Sequence, residues 1–186
     1  MKEGECMISL EKIKDKDLLL IAQWKTNKLI TKYIDTKPIR TLKEQINWLE
    51  EIRNDEKSRY WIINNYGIKI GIIKLINIDY NNKTCNLEYY IGDLHFRGRK
   101  ITPIIMYNIY EYVFEYMNFE KLRCSIKAYN KHAIHISEKM GYEIEKKFKH
   151  YIYRNEKDID NVFVSITKEK WNGIKNNYNF EKIAIE

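Results

Sequence analysis

Hydrophobic residues recur along this chain with two periods, and the period changes mark its elements. Met7 to Ile13 alternates apolar and polar, as a half-buried strand does. Asp15 then stands where a helix cap belongs, ahead of Asp17-Leu18-Leu19-Leu20-Ile21-Ala22-Gln23-Trp24. Residues 27–40 lack a period and end near Pro38. Thr41-Leu42-Lys43-Glu44 has the spacing of a capping box, and Leu42, Ile46, Leu49 and Ile52 follow at helical intervals. Arg59 to Asn64, Lys69 to Asp79 and Thr84 to Ile91 read as strands, separated by the turn signals Asn64-Asn65-Tyr66-Gly67 and Asn81-Asn82.

A polar loop, Gly92 to Lys100, leads into an apolar helix from Thr102 to Met117. Lys121 to Ala128 reads as a strand and Lys131 to Met140 as a helix, with Gly141 at its C′ position. Tyr142 to Tyr153 and Asn161 to Thr167 read as closing strands, and Lys168 to Glu186 as helical, then irregular. The order β-α-α-β-β-β-α-β-α-β-β predicts an α+β fold with a mixed, mostly antiparallel sheet flanked by helices. A doubly wound dinucleotide fold is disfavoured, because it needs regular βα alternation and a GxGxxG turn.

Composition narrows the function. With 186 residues and no internal repeat, one domain is expected, 1–170, followed by a short extension, 171–186. Neither a spanning helix nor an apolar leader core is evident, so a cytoplasmic protein with no membrane partner is expected. Cys6, Cys85 and Cys124 are widely spaced, which argues against a disulfide framework and a zinc site; metal ligands are not expected. The formal charge of +7 invites a nucleic-acid reading. The cations are spread along the chain without a block of five, and Lys, Asn, Ile and Tyr are abundant together, so a residue bias explains the charge better.

Cations still matter where they meet a suitable backbone. The loop His95-Phe96-Arg97-Gly98-Arg99-Lys100-Ile101-Thr102 opens a helix, where unpaired amides and the helix dipole favour an anion. The second informative segment runs from Asn130 to Tyr142, with Asn130, Ala133 and Ser137 at helical spacing on one face.

Together these segments resemble the GNAT N-acetyltransferases, whose R/Q-x-x-G-x-G/A loop binds the acetyl-CoA pyrophosphate and whose N-x-x-A-x-x-x-Y-E-K-x-G-F helix lies beside the pantetheine arm. The resemblance implies acetyl-CoA as donor, CoA as product, and a splayed strand pair holding it. It implies a cofactor site at Tyr90, Ile91, Phe96, Arg97, Gly98, Arg99, Lys100, Ile101, Thr102, Asn130, Ala133, Ser137 and Lys139. Lys100 and Thr102 stand where the family carries small residues, and Ser137 stands where many members carry a Tyr that protonates the thiolate.

Glu88, the sole carboxylate of its strand, is the expected general base, and Ser137 the expected partner of the leaving sulfur. His135 is a second candidate for proton transfer. Thr41 to Trp61 and Trp24 to Asn27 resemble the N-acetyltransferases of pseudaminic-acid biosynthesis, and Val162 to Trp171 the ribosomal-protein-acetylating branch. The first of these likenesses implies a UDP-linked 4-amino-4,6-dideoxy sugar as acceptor, held by Trp24, Lys25, Asn27, Lys32 and Arg40. Alternatives are an N-terminal peptide or a polyamine as acceptor, or a CoA-binding sensor without turnover. A homodimer stays open.

Overall fold

The strands and helices follow the predicted order, with a short helix and a two-residue strand added to it. A computed structural model describes residues 8–34, 41–98, 101–154 and 157–186, with backbone alone over 148–154 and 157–159. The strands are β1 (Ile8–Lys12), β2 (Arg59–Asn65), β3 (Ile68–Asp79), β4 (Thr84–Ile91), β5 (Lys121–Lys127), β6 (Glu143–Arg154), β7 (Lys157–Thr167) and β8 (Ala184–Ile185). The helices are α1 (Leu18–Thr26), α2 (Lys28–Thr31), α3 (Leu42–Asn54), α4 (Ile101–Glu111), α5 (Lys131–Lys139) and α6 (Lys168–Ile174). The chain forms two compact units: Met1–Ile76, Tyr89–Asn108 and Phe180–Glu186 make the first, Asn77–Glu88 and Ile109–Asn179 the second.

In the first unit the strand order is β3-β2-β1-β8. β1 and β3 flank β2 antiparallel, and β8 lies parallel to β1. Ile13, Leu18, Ile21, Trp24, Ile30, Leu49, Ile62 and Ile72 bury a common cluster where α1 to α3 cover the strands. α3 begins with the expected capping box: Thr41 Oγ1 accepts the Glu44 N–H, and the Glu44 carboxylate accepts the Thr41 N–H at 2.7 Å. Buried Asn108 fastens the tail. Its amide donates to the Ile104 and Glu181 carbonyls, both at 2.8 Å, and its oxygen accepts the Ile183 N–H.

In the second unit the order is β6-β7-β5-β4. β7 pairs antiparallel with both β5 and β6, so the sheet is mixed, as expected. The core is aromatic: Tyr110 contacts Phe114, Tyr142 and Trp171. Trp171 is 2% exposed, so the first helix of the expected extension is anchored in this core. Gly141, at φ +92°, closes α5 where the sequence placed its C′ residue.

Several local expectations need correction. The Asp17 carboxylate, not that of Asp15, accepts the Lys14 N–H at the start of the first helical segment, and Asp17 is buried in an ion pair with Lys69. Asp15 instead lies exposed, 3.6 Å from Arg53. Part of the stretch expected to be irregular is α2, because the Asn27 side chain accepts the Leu29 N–H and starts a turn. The last part of that stretch, 35–40, lies outside the described residues, as does Met7. The helix expected from Thr102 to Met117 is α4 as far as Glu111 and then a π-helical turn, Tyr112–Tyr116. The tail, read as irregular after its helix, contains β8.

Candidate active site

β4 carries the site. Its parallel ladder with β5 pairs Thr84 with Lys121, Cys85 with Leu122 and Asn86 with Arg123, and ends there. β5 goes on to Lys127 against β7, so the two strands part just before Glu88. Beyond a parting of this kind, backbone amides are released from the ladder and can meet a ligand carbonyl. Side chains alternate along a strand, so Leu87 is buried and the Glu88 carboxylate is exposed. Across the opening, the Cys124 thiol is pushed up to about 12 by desolvation, with the Glu88 charge adding to the shift. The sequence marks Cys124 only as one of three widely spaced cysteines; its proximity to Glu88 follows from strand pairing, which composition does not contain.

In the first unit, the far end of β4 is held by β3. The Gly92 and Asp93 N–H groups donate to the Ile70 carbonyl at 2.7 and 3.0 Å. Gly71 passes so close that a Cβ there would lie 2.2 Å from the Tyr90 carbonyl oxygen. Trp24 is buried, edge-on to the Tyr90 ring, and packs over Gly92. The loop then turns at Gly98, whose φ of +75° suits glycine and whose Cα faces open space.

Arg97 sits ahead of that turn with its guanidinium on backbone carbonyls. It donates to Leu29 at 3.0 Å and to Ile91 at 3.3 and 3.4 Å. The cation thus braces the loop against β4 and α2 while its charge stays beside the loop. Arg99, Lys100 and Arg40 lie outside the described residues. Ile101 is buried at the first turn of α4, with Thr102 half-buried beside it. Ile91 and Phe96 are half-buried.

In the second unit, the Asn130 side chain accepts the Ala133 N–H at 3.3 Å and caps α5. Ala133 and Ser137 are half-buried on that helix, while Lys139, His132 and His135 are exposed. The Ser137 carbonyl accepts the Met140 and Tyr142 N–H groups, both at 3.0 Å, closing the helix end. Among the residues expected to hold the acceptor, Lys25 lies 4.7 Å over the Trp48 ring and Lys32 5.2 Å over the Tyr33 ring. The Asn27 side chain is the α2 cap already described.

The second unit thus holds an exposed carboxylate at a strand parting, and the first holds a loop turned by a glycine ahead of α4. The domain family described as "Acetyltransferase (GNAT) domain" matches residues 8–143. The chain belongs to the GNAT acetyltransferase family. As a GNAT enzyme it takes its acetyl group from acetyl-CoA. The family's fold and the strand parting after Asn86 agree.

The chain is 22% identical to the spermidine N(1)-acetyltransferase of Escherichia coli (strain K12) over 148 residues, 80% of this chain and 79% of that protein. It is 23% identical to the acetyltransferase PseH of Campylobacter jejuni over 141 residues, 74% of this chain and 86% of that protein. Among solved structures, the spermidine N-acetyltransferase of Vibrio cholerae in complex with CoA and spermine superposes with a TM-score of 0.82. It covers 89% of this chain and 98% of that one at 20% identity. Among the described residues, no helix is long and apolar enough to cross a membrane.

Proposed function

We propose that this GNAT enzyme acetylates a primary amine on a small polyamine-type acceptor, with Glu88 as general base. The observation that carries this reading is Glu88 itself, an exposed carboxylate where β4 leaves β5. A carboxylate attracts an alkylammonium and then accepts its proton, and a neutral amine is required for attack. The net charge of +7 is a weak objection to a cationic acceptor. Screening at physiological salt limits exposed charges to about 8 Å, so the nearest group decides. The spermidine acetyltransferase likeness spans four-fifths of the chain and supports the same class.

The chemistry asked of this chain is modest. Glu88 takes one proton from the ammonium, the neutral amine nitrogen bonds the acetyl carbonyl carbon, the carbon–sulfur bond breaks, and a second N–H proton passes to the departing sulfur, which leaves as the CoA thiol. Backbone amides near the parting of β4 are the donors we assign to the carbonyl oxygen, where preorganised donors act on developing charge. Ser137 on α5 is the hydroxyl we assign to the leaving sulfur. Among the described residues, Cys85 and Cys124 are free thiols, which suits a cytoplasmic enzyme.

A second reading, the UDP-linked 4-amino sugar, draws on the PseH likeness. The experiment is thiol release from acetyl-CoA across spermidine, spermine, a UDP-4-amino sugar and an N-terminal peptide. The polyamines are expected to give the highest kcat/KM. Turnover confined to the nucleotide sugar would overturn the acceptor assignment. CoA binding without turnover of any amine would make the protein a sensor.

A further inference from the structure

The sheet face of the second unit that carries Glu88 also carries a polar pair, Ser125 and Asn161. Asn86 and Arg123 form the last rung of the β4–β5 ladder, so Glu88 and Ser125 stand on the same face, each two positions past that rung. Ser125 is exposed. It pairs with Phe163 on β7, and Asn161 is its diagonal neighbour there, 3% exposed. The Asn161 amide donates from Nδ2 to Ser125 Oγ at 2.7 Å. Its Oδ1 is buried and has no hydrogen-bond partner among the described residues.

A buried amide with an orphaned oxygen is costly, and the bond it makes goes to an exposed hydroxyl that water could serve. An apolar side chain of the same shape would spare that cost. What the amide secures is direction. It occupies one lone pair of Ser125 Oγ and leaves the second lone pair and the hydroxyl proton to the exposed side.

We propose that Ser125, set by Asn161, accepts a hydrogen bond from the acceptor amine while Glu88 takes a proton from the same nitrogen. This inference rests on the amine-acetylating reading above and gives that site a second contact to the reacting atom. With one N–H on the hydroxyl and another on the carboxylate, the nitrogen lone pair is left a single direction of attack. Orientation of this kind is a large part of what a transfer between two bound groups requires. Ser125 takes no proton, so the proton balance of the transfer is unchanged. Ser125 is thus a catalytic contact, and Asn161, which acts through it, a positioning residue.

The test is a double-mutant cycle on wild type, Ser125→Ala, Asn161→Leu and the double variant, with spermidine and acetyl-CoA each varied. Ser125→Ala is expected to lose about tenfold in kcat/KM for spermidine, the worth of one hydrogen bond to a charged or strongly polar group. Asn161→Leu should lose about fivefold, and the double variant no more than Ser125→Ala alone, because the amide has nothing to set once the hydroxyl is gone. Ser125→Thr, which keeps the hydroxyl, should stay within about threefold of wild type, and the KM for acetyl-CoA within about twofold in every variant.

Full rate in Ser125→Ala, or a double variant that loses the product of the two single losses, would overturn the proposal while leaving the amine reading intact. So would a loss in Ser125→Thr equal to that in Ser125→Ala, since the hydroxyl would then not be the group that matters. Failure of wild type to acetylate spermidine would overturn the polyamine reading and this inference with it.

Discussion

At the residue scale, Glu88 and Cys124 define a local electrostatic pair that can be read by chemistry as well as by rate. Glu88→Gln is expected to lower kcat/KM by about 10²–10³, the usual contribution of a general base. The same substitution removes a negative charge that raises the Cys124 thiol. The thiolate is the reactive form, so alkylation of Cys124 at pH 8, followed by peptide mass spectrometry, should be slow in wild type and faster in Glu88→Gln. Equal labelling rates would mean that the two side chains do not sense each other. Glu88 was legible in the sequence because it stands as the lone carboxylate in its strand. Cys124 was not, because it is the parallel pairing of β4 with β5 that brings its thiol within the field of Glu88. Arg97 was legible as a cation but not as a brace, since Leu29, one of its acceptors, is a main-chain carbonyl 68 positions away.

At the element scale, local rules succeeded where a side chain satisfies its own helix and failed where the partner is remote. Thr41 and Glu44 signal α3 within four residues, and Gly141 signals the end of α5. β8 has two residues and no alternation to detect; it forms only because β1 offers it a partner. Asp15 and Asp17 are equivalent as sequence signals, and the choice between them is made by Lys69, far along the chain on β3. The attachment of the tail to α4 depends on Asn108 in the same way. Asn108→Leu would strand the Ile183 N–H and the Glu181 carbonyl. A cost of about 1–3 kcal/mol is expected, seen as a lower Tm and as faster protease cleavage within residues 178–186. Unchanged cleavage would show that the tail is held by its other contacts.

At the scale of the whole molecule, the net charge of +7 has little to say about partners once the site is known. The donor is an anion, and the loop that turns at Gly98 ahead of α4 is the place we propose for it. Acetyl-CoA at a hundredfold excess over its Kd should stabilise the protein by about 2.7 kcal/mol. For a chain of this size that is a Tm rise of about 5–10 °C by scanning calorimetry. No shift would contradict the donor assignment. The fold class was legible because the element order is itself diagnostic; the acceptor was not, because relatives with different acceptors share that order.

The two-residue strand β8 has one more consequence. Without it, β1 would present a row of unpaired N–H and C=O groups, a template on which another chain can add. β8 occupies that row at Ser9 and Leu10, the Glu186 carboxylate takes the Lys12 N–H, and the Glu186 carbonyl takes the Trp61 indole N–H. The new margin is brief and flanked by the charges of Lys182 and Glu186. A segment that contributes nothing visible to acetyl transfer therefore works against self-association, and it protects the molecule most when the protein is most concentrated.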